Sequence, residues 1–301
     1  MSISRQNLSI VIVTFKSEDV IHQCLKSIGS EIPIMIIENS NNFQFKNDLE
    51  KKYKNVKCVL SGKNLGMGSA NNLGINLAKT DYVLILNPDV ILEHDTIDKL
   101  IEASINISNF AIIAPASKNI KYPNYKMFET KNEKIENELI LNVMSVDGYA
   151  MLFNIKNMNK VILDKDSNTT KNYFDENFFM YLENDDLCKR VVEKKQNIFV
   201  ATKSRIEHLG AQAVNKKYKY EVELSRNWHW MWSKFYFNKK HSGFFNAIIK
   251  ISFNFFSSLL KYFLYSIIFN NYKKTIYKMR LYGIVNSVAG KPSWYRPKIK
   301  N

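Results

Sequence analysis

Residues 64–89 read NLGMGSANNLGINLAKTDYVLILNPD. Asn64 to Gly74 is a Gly- and Asn-rich turn running into a helix whose apolar positions are Met67, Ala70, Leu73 and Leu77. Tyr82 to Leu86 is a short continuous apolar run of the kind that forms a strand buried on both faces. The polar triplet Asn87-Pro88-Asp89 comes directly after it. Sheets built from such units bind ligands beyond the carboxyl ends of their strands, so the informative residues are expected to follow the strands.

The same unit recurs on either side. Leu8 to Phe15 (LSIVIVTF) is a β-branched run, and Val20, Ile21, Cys24, Leu25 and Ile28 then return at helical spacing. Strands are expected at Ile34 to Ile37 and, after a polar loop, at Val56 to Leu60. Asp95 is a plausible N-cap for a helix with Ile97, Leu100, Ile101 and Ile105, leading to a strand at Phe110 to Ala114. This alternation predicts an α/β fold with a mostly parallel sheet covered by helices on both faces. The Asn/Lys-biased stretch from Lys118 to Asn142 reads as a loop insertion.

Composition sets the bounds. The 301 residues with 46% hydrophobic content suffice for one large α/β domain with an appendage or for two modest domains. Forty-three Lys and Arg against 28 Asp and Glu give a net charge of +15, which attracts nucleic acid, phosphorylated substrates or anionic lipid without choosing among them. Cys24, Cys58 and Cys188 contain no CxxC pair, which argues against a disulfide framework or a zinc knuckle and suits a reducing compartment. Only Arg5 is basic ahead of the first strand and no signal-peptide core follows it, so the catalytic part is expected in the cytoplasm.

Several positions carry chemistry. A carboxylate at Asp89 is placed to hold a divalent cation, since magnesium and manganese take few protein oxygens alongside substrate phosphates and water; a simple turn is the competing reading. The small residues from Asn64 to Gly68 allow close backbone approach, and a helix N-terminus there can face an anion. Glu183-Asn184-Asp185-Asp186 follows an extended run from Phe178 to Leu182 and opens an amphipathic helix. Three acids at that corner exceed what a helix cap requires. His208 follows a strand at Ile198 to Ala201; a lone histidine is more often structural.

In this order and at these separations, IVIVTFKSEDVIHQCL (residues 10–25), IIENS (36–40), NLGMGSANNLGI (64–75), LNPDV (86–90), FFMYLENDDLCKR (178–190) and HLG (208–210) closely resemble glycosyltransferase family 2. The resemblance covers about residues 7–237 and is nearest to the rhamnosyltransferase-type members of O-antigen and cell-wall polysaccharide assembly. It implies a GT-A fold, an inverting reaction, Mg2+ or Mn2+, a dTDP- or UDP-sugar donor and a glycan or lipid-linked acceptor. It also implies roles for individual residues. Asp89 matches the metal-coordinating last position of the DxD element, with Asn87 in place of its first acid, and His208 matches a residue that touches metal or diphosphate. Thr14, Glu38, Asn64, Gly66 and Asn72 fall on the donor side, Glu38 as a base or ribose contact where the family usually has Asp. Asp147 and Gly148 fall on the acceptor-side strand, and Arg226 in the basic helix that follows.

The catalytic base removes the acceptor hydroxyl proton while that oxygen attacks the anomeric carbon. The family places it in an E-D-x-D pattern, yet here Asn184 stands where the second acid usually stands. Asp186 and Asp185 are therefore ranked ahead of Glu183.

From about Lys216 the sequence becomes aromatic, apolar and basic. Residues 1–237 are expected to form the catalytic domain and 238–301 an amphipathic, basic helical region. Between Gly243 and Phe269, Asn246, Lys250, Asn254, Ser257, Ser258 and Lys261 form one narrow polar stripe on a helix, suited to lying in a membrane interface with Lys273, Lys274, Lys278 and Arg280 on anionic headgroups. A helical hairpin packed on the catalytic domain is the alternative. Trp228, Trp230 and Trp232 suggest base stacking. Their alternate spacing spreads them around a helix, and no nucleic-acid partner is expected. A nucleotidyltransferase would show a Gly-rich loop with a basic residue where this chain has Thr14-Phe15-Lys16-Ser17.

Overall fold

A computed structural model describes residues 3–105, 107, 109–128, 139–162, 171–210, 212–297 and 299. The chain divides into two units, residues 1–175 with 184–215, and residues 176–183 with 216–301.

In chain order the first unit contains β1 (Leu8–Thr14), α1 (Ile21–Ile28), β2 (Ile34–Glu38), α2 (Phe43–Lys52), β3 (Val56–Leu60), α3 (Met67–Leu77), β4 (Tyr82–Leu86), β5 (Val90–Leu92), α4 (Thr96–Ile105), β6 (Ile112–Ser117), β7 (Tyr125–Lys126), β8 (Ile140–Asn142), β9 (Ser145–Val146), β10 (Ala150–Asn154), α5 (Ile155–Met158), α6 (Glu183–Glu193, its first residue belonging to the other unit) and β11 (Ile198–His208). The large sheet has the order β3-β2-β1-β4-β10-β6-β11-β5, with β8 added against β11.

Strands β3, β2, β1 and β4 are mutually parallel, as the helix crossovers between them require. Beyond β4 the sheet becomes mixed. Strand β10 runs antiparallel to both β4 and β6, and β5 and β8 run antiparallel to β11. Strands β6 and β11 point the same way as β1 to β4, so the mostly parallel expectation holds for six of the nine strands among the described residues, with β10, β5 and β8 running against them. The stretch expected to be a loop insertion also contributes pairing: β7 pairs with β9, and β8 extends the sheet. Its residues 129–138 lie outside the described residues.

All seven residues of β1 and all five of β4 are buried, and their side chains alternate between two cores. Ile10, Ile12, Leu84 and Leu86 meet Ile21, Leu25 and Leu100 of α1 and α4 on one face; Val11, Val83 and Ile85 meet Ile75, Leu187 and Val191 of α3 and α6 on the other. Helix α3 lies very close on β1. A Cβ at Gly74 would stand 2.4 Å from a Val11 methyl carbon.

The second unit contains α7 (Lys219–Ser242), α8 (Phe244–Ile267) and α9 (Asn271–Val288), packed around Met231, Phe235, Ala247, Ile251 and Ile284. It begins where the composition changes, and α7 continues without a break through the 237/238 division expected from the sequence. Residues 176–183 join it: Ser233 donates to the Met180 carbonyl at 2.8 Å, and Phe178 meets Tyr236 edge-on. The run expected to be extended instead ends in two left-handed residues, Tyr181 (φ 71) and Leu182 (φ 65). Trp228 and Trp232 are core residues of this unit, and Trp232 donates to the Lys291 carbonyl, which removes both from base stacking.

His229 is fully buried. A carbonyl only accepts, so Nε2–H donates to the Tyr295 carbonyl (2.7 Å) and Nδ1 accepts from the Ser293 hydroxyl (2.9 Å). Burial lowers its pKa to about 3.

Two outcomes follow from these packing features. Gly74→Ala should lower unfolding stability by about 1–3 kcal/mol in denaturant titration, because Val11 and the strand behind it must shift. For His229 the folded-state pKa is lowered, so its contribution to stability is present above the unfolded value near 6.5 and is lost as pH falls below it. Between pH 6 and 4, His229→Gln should reduce the slope of unfolding free energy against pH by up to about 1.4 kcal/mol per unit; an unchanged slope would show that the imidazole is not held neutral.

Candidate active site

The parallel half of the sheet brings its strand ends to one edge. Thr14 of β1 pairs with Glu38 of β2, and Glu38 with Leu60 of β3. The Thr14 hydroxyl is buried without a hydrogen-bond partner among the described residues, so an acceptor or donor there remains unspent. Glu38 is fully buried rather than a loop acid in solvent. Its Oε1 accepts from the Ser40 amide (3.0 Å) and hydroxyl, and its Oε2 from the Asn42 amide (2.8 Å), which fixes the loop after β2. Asn39, not singled out from the sequence, clamps this loop to the Gly-rich turn: Nδ2 donates to the Gly66 carbonyl (3.1 Å) and Oδ1 accepts from the Leu65 amide. Asn64 in turn accepts from the Gly66 amide at 3.1 Å.

Asn72, expected on the donor side, faces elsewhere. Its amide is spent on the backbone of residues 173 and 174, with Nδ2 to the Phe174 carbonyl at 2.9 Å and Oδ1 from both amides. Its neighbour Asn71 is the one with a buried carbonyl oxygen lacking a partner among the described residues. Helical geometry turns successive side chains by about 100°, so the two neighbouring amides face different surroundings.

Asn87 to Val90 forms a turn closed by the Val90 amide on the Asn87 carbonyl at 3.2 Å. The turn reading holds, and it is compatible with the carboxylate reading, since the turn leaves Asp89 buried. Asp89 is 2% exposed and its Oδ1 has no hydrogen-bond partner among the described residues. Strand β11 is longer than expected and His208 ends it. Antiparallel pairing sets His208 opposite Val90, the Leu209 amide donates to the Asp89 carbonyl (3.0 Å), and His208 Nε2 stands 3.4 Å from Asp89 Oδ1.

Tyr149 holds this arrangement. Its ring stacks on His208 at 4.1 Å between centroids, and its carbonyl accepts from the Asn87 amide at 2.9 Å. Burial raises its phenol pKa to about 12, so the ring stays neutral. Among the described residues no cluster of three or more His, Cys, Asp or Glu forms a closed cage. A buried carboxylate with an unspent oxygen beside one imidazole fits a cation whose remaining positions are filled by water and diphosphate oxygens, as magnesium and manganese prefer.

The acidic corner is next to it. Asp185 accepts from Lys126 Nζ at 2.9 Å, and this bond raises the lysine pKa. Asp147 retains exposed surface, yet desolvation of its carboxyl and then the charge of Asp185 raise its pKa above the ordinary value, against Lys126 and His208. Gly148 lies close to Asn184, where a Cβ would come 3.1 Å from the Asn184 Cβ and one of the two would have to give slightly. Asn184, standing where the family has an acid, thus lies against the chain on either side of Asp147, and its Nδ2 donates to the Val146 carbonyl (3.2 Å).

Asp186 does not belong to this group. It is wholly buried and its Oδ2 accepts from Arg190 Nε at 2.8 Å; Arg190 also donates to the Val161 and Tyr173 carbonyls. Ranking it first as the base is corrected by this burial: the side chain is committed to holding α6. Glu183 and Arg226 fall in the second unit, where Tyr181 senses both charges, together with Glu223.

The mixed sheet flanked by helices has the architecture of the GT-A fold. A sequence model described as glycosyl transferase family 2 matches residues 9–166, just over half of the chain, and the chain belongs to this family. Relatives include the rhamnosyltransferase WbbL of Escherichia coli K12, 26% identical over 208 residues (60% of this chain, 75% of that protein). The low-salt glycan biosynthesis hexosyltransferase Agl10 of Haloferax volcanii is 24% identical over 226 residues (70% and 69%). Among solved structures, GalNAc-T7 with UDP, GalNAc and Mn2+ superposes with a TM-score of 0.55 at 14% identity, over 67% of this chain and 43% of that one. The chain spans less than half of that protein, and the likeness is one of fold.

Asp89→Asn should lower Mn2+-dependent affinity for UDP or dTDP at least about tenfold while leaving the protein folded, since it keeps the shape of the side chain and removes an oxygen that the cation would use. Tyr149→Leu should cost roughly tenfold in Mn2+ affinity by releasing His208, and Tyr149→Phe should restore it. Calorimetric titration decides; equal affinities in all three proteins would exclude this corner as a metal site.

Proposed function

We propose that this enzyme is an inverting, divalent-metal-dependent transferase that moves a hexose of the rhamnose type from a dTDP- or UDP-linked donor to a glycan or lipid-linked acceptor in cell-surface polysaccharide assembly, O-antigen or cell wall. It works at the cytoplasmic face of the membrane, with an anionic lipid surface as its second partner. The observation that carries this reading is the buried Asp89 oxygen beside His208 at the carboxyl ends of parallel strands. Asp89 and His208 would hold the metal, which supplies neutralisation of charge on the departing diphosphate. Thr14 and Asn71 bring unspent polar atoms to the strand-end region, and Asn39 fixes the loop that faces the donor.

Asp147 is proposed as the base. The acid usual in this family is absent at position 184, and Asp147 is the neighbouring carboxylate, set beside it by the close contact of Gly148 with Asn184. Its raised pKa makes it a better proton acceptor near neutral pH than an ordinary carboxylate. Lys126 and Asp185 hold each other and position the corner.

A thermal-shift panel of nucleotide-diphosphate sugars with and without Mn2+ tests the reading as a whole. A donor at 100 times its dissociation constant should add about 2.7 kcal/mol of stability. No shift with any dTDP- or UDP-sugar would overturn the donor assignment.

For the base, Asp147→Asn should cut donor turnover by about 10²–10⁴ with donor affinity retained, and Asp185→Asn should cut it less. Adding Asn184→Asp to the Asp147→Asn protein should recover part of the loss, read as donor hydrolysis where no acceptor is at hand. The raised folded-state pKa means that charged Asp147 costs stability above it, so Asp147→Asn should not lower the melting temperature at pH 7 to 8. Retained turnover in Asp147→Asn would return the role to Asp185.

A further inference from the structure

We infer that α8 lies flat in the headgroup layer of an anionic leaflet, with a phenylalanine-rich face turned into the lipid and the cations of the second unit at the headgroups. The inference deepens the membrane placement proposed above and rests on it.

The helix is inside out for a protein in water. Phe245 (83% exposed), Ile249, Phe253 (79%), Phe256, Leu260 and Ile267 recur every three or four residues (Leu260 to Ile267 spans two turns) and form one outward stripe. The inward face mixes apolar and polar residues: Ala247, Ile251 and Ser258 are buried, and Asn254 accepts from Lys234 of α7 at 2.8 Å. The polar stripe legible in the sequence is therefore divided. Asn254 and Ser258 turn inward, whereas Asn246, Lys250 and Lys261 stay in solvent. A contiguous apolar face of this size marks an interaction surface.

Charge identifies the partner. Residues 216–301 carry 17 Lys and Arg and only two Asp and Glu, while the first 215 residues carry 26 of each sign, so the whole excess of +15 lies with α7, α8, α9 and their flanks. A second copy of the same face would bring two such charges together, which opposes self-association. An anionic lipid surface satisfies the stripe and the charge at once. Lys261, Lys273 and Lys274 each stand over a tyrosine ring (Tyr277, Tyr265 and Tyr262, at 5.2–5.8 Å), a pairing suited to headgroup depth.

The 24 residues of α8 are long and apolar enough to cross a bilayer, with a mean hydropathy of 1.3 over an 18-residue stretch. Packing decides against a span. Helix α8 contributes Ala247 and Ile251 to a core shared with Met231 and Phe235 of α7 and Ile284 of α9. Crossing would carry Lys239 and Lys240 of α7 and Lys273, Lys274, Lys278 and Arg280 of α9 into hydrocarbon.

The test uses the full chain with vesicles of phosphatidylcholine alone or containing phosphatidylglycerol. Co-sedimentation should favour the anionic vesicles and weaken in high salt. Phe253→Glu with Phe256→Glu should reduce partitioning at least about tenfold without changing the melting temperature, because both residues are exposed. The native cysteines are buried, so nitroxides can be attached at Phe245→Cys, Phe253→Cys and Leu264→Cys. Equal shallow depths at the three sites are expected. Depths graded across the bilayer would overturn the flat placement, and absent vesicle binding or a dimer that masks the stripe would overturn the lipid partner. Neither readout involves a nucleotide sugar, so failure here is distinguishable from failure of the transferase reading.

Discussion

A carboxylate placed almost entirely out of water with one oxygen unspent is the constraint around which the first unit is organised. Burying an ionised group without a counter-charge is expensive, and proteins retain such a group where another charge compensates it. Asp89 is that group. The turn at Asn87 to Val90 aims it inward, the pairing of β5 with β11 sets His208 next to it, and Tyr149 secures both by its stacked ring and its backbone carbonyl. The change from parallel to antiparallel strands serves the same end, since only antiparallel β10 and β5 carry Tyr149 and the end of β11 to the edge where Asp89 lies.

Much of this was legible in the sequence because apolar runs and helical spacing are local signals. Strands β1 to β4 and the helices α1 and α3 could be read residue by residue, and with them the strand-end positions Thr14, Glu38 and Asp89; α2 stands where a polar loop was expected, because only Phe45 and Leu49 of its ten residues are buried and its apolar signal is weak. The rest depends on which way a side chain turns. Asn72 and Asn71 are equivalent by composition, yet one bonds the backbone of Tyr173 and Phe174 and the other keeps an unspent oxygen. Asp185 and Asp186 differ in the same way: a partner four residues on, Arg190, takes Asp186 into the core. No pattern in a single chain announces Tyr149 or Lys126, whose importance arises from distant residues meeting them.

The replacement at position 184 shows why a site is better described by space than by motif. Under the proposal made above, Asp147 would supply the acid that Asn184 lacks, and the close approach of Gly148 to Asn184 makes the two stretches of chain neighbours. The second unit follows a different logic. Its interior is aromatic, its charge is almost all positive, and its most apolar helix exposes a phenylalanine-rich face, features that suit a surface more than a substrate.

The central claim is that Asp89 and His208 together receive a divalent cation bound to the donor diphosphate. Pulsed electron paramagnetic resonance of Mn2+ with the protein and UDP or dTDP tests it most directly. The account predicts a nitrogen coupling from a single imidazole that disappears in His208→Ala, together with phosphorus couplings from the diphosphate. A spectrum with phosphorus couplings but no imidazole nitrogen, or one unchanged by His208→Ala, would contradict it.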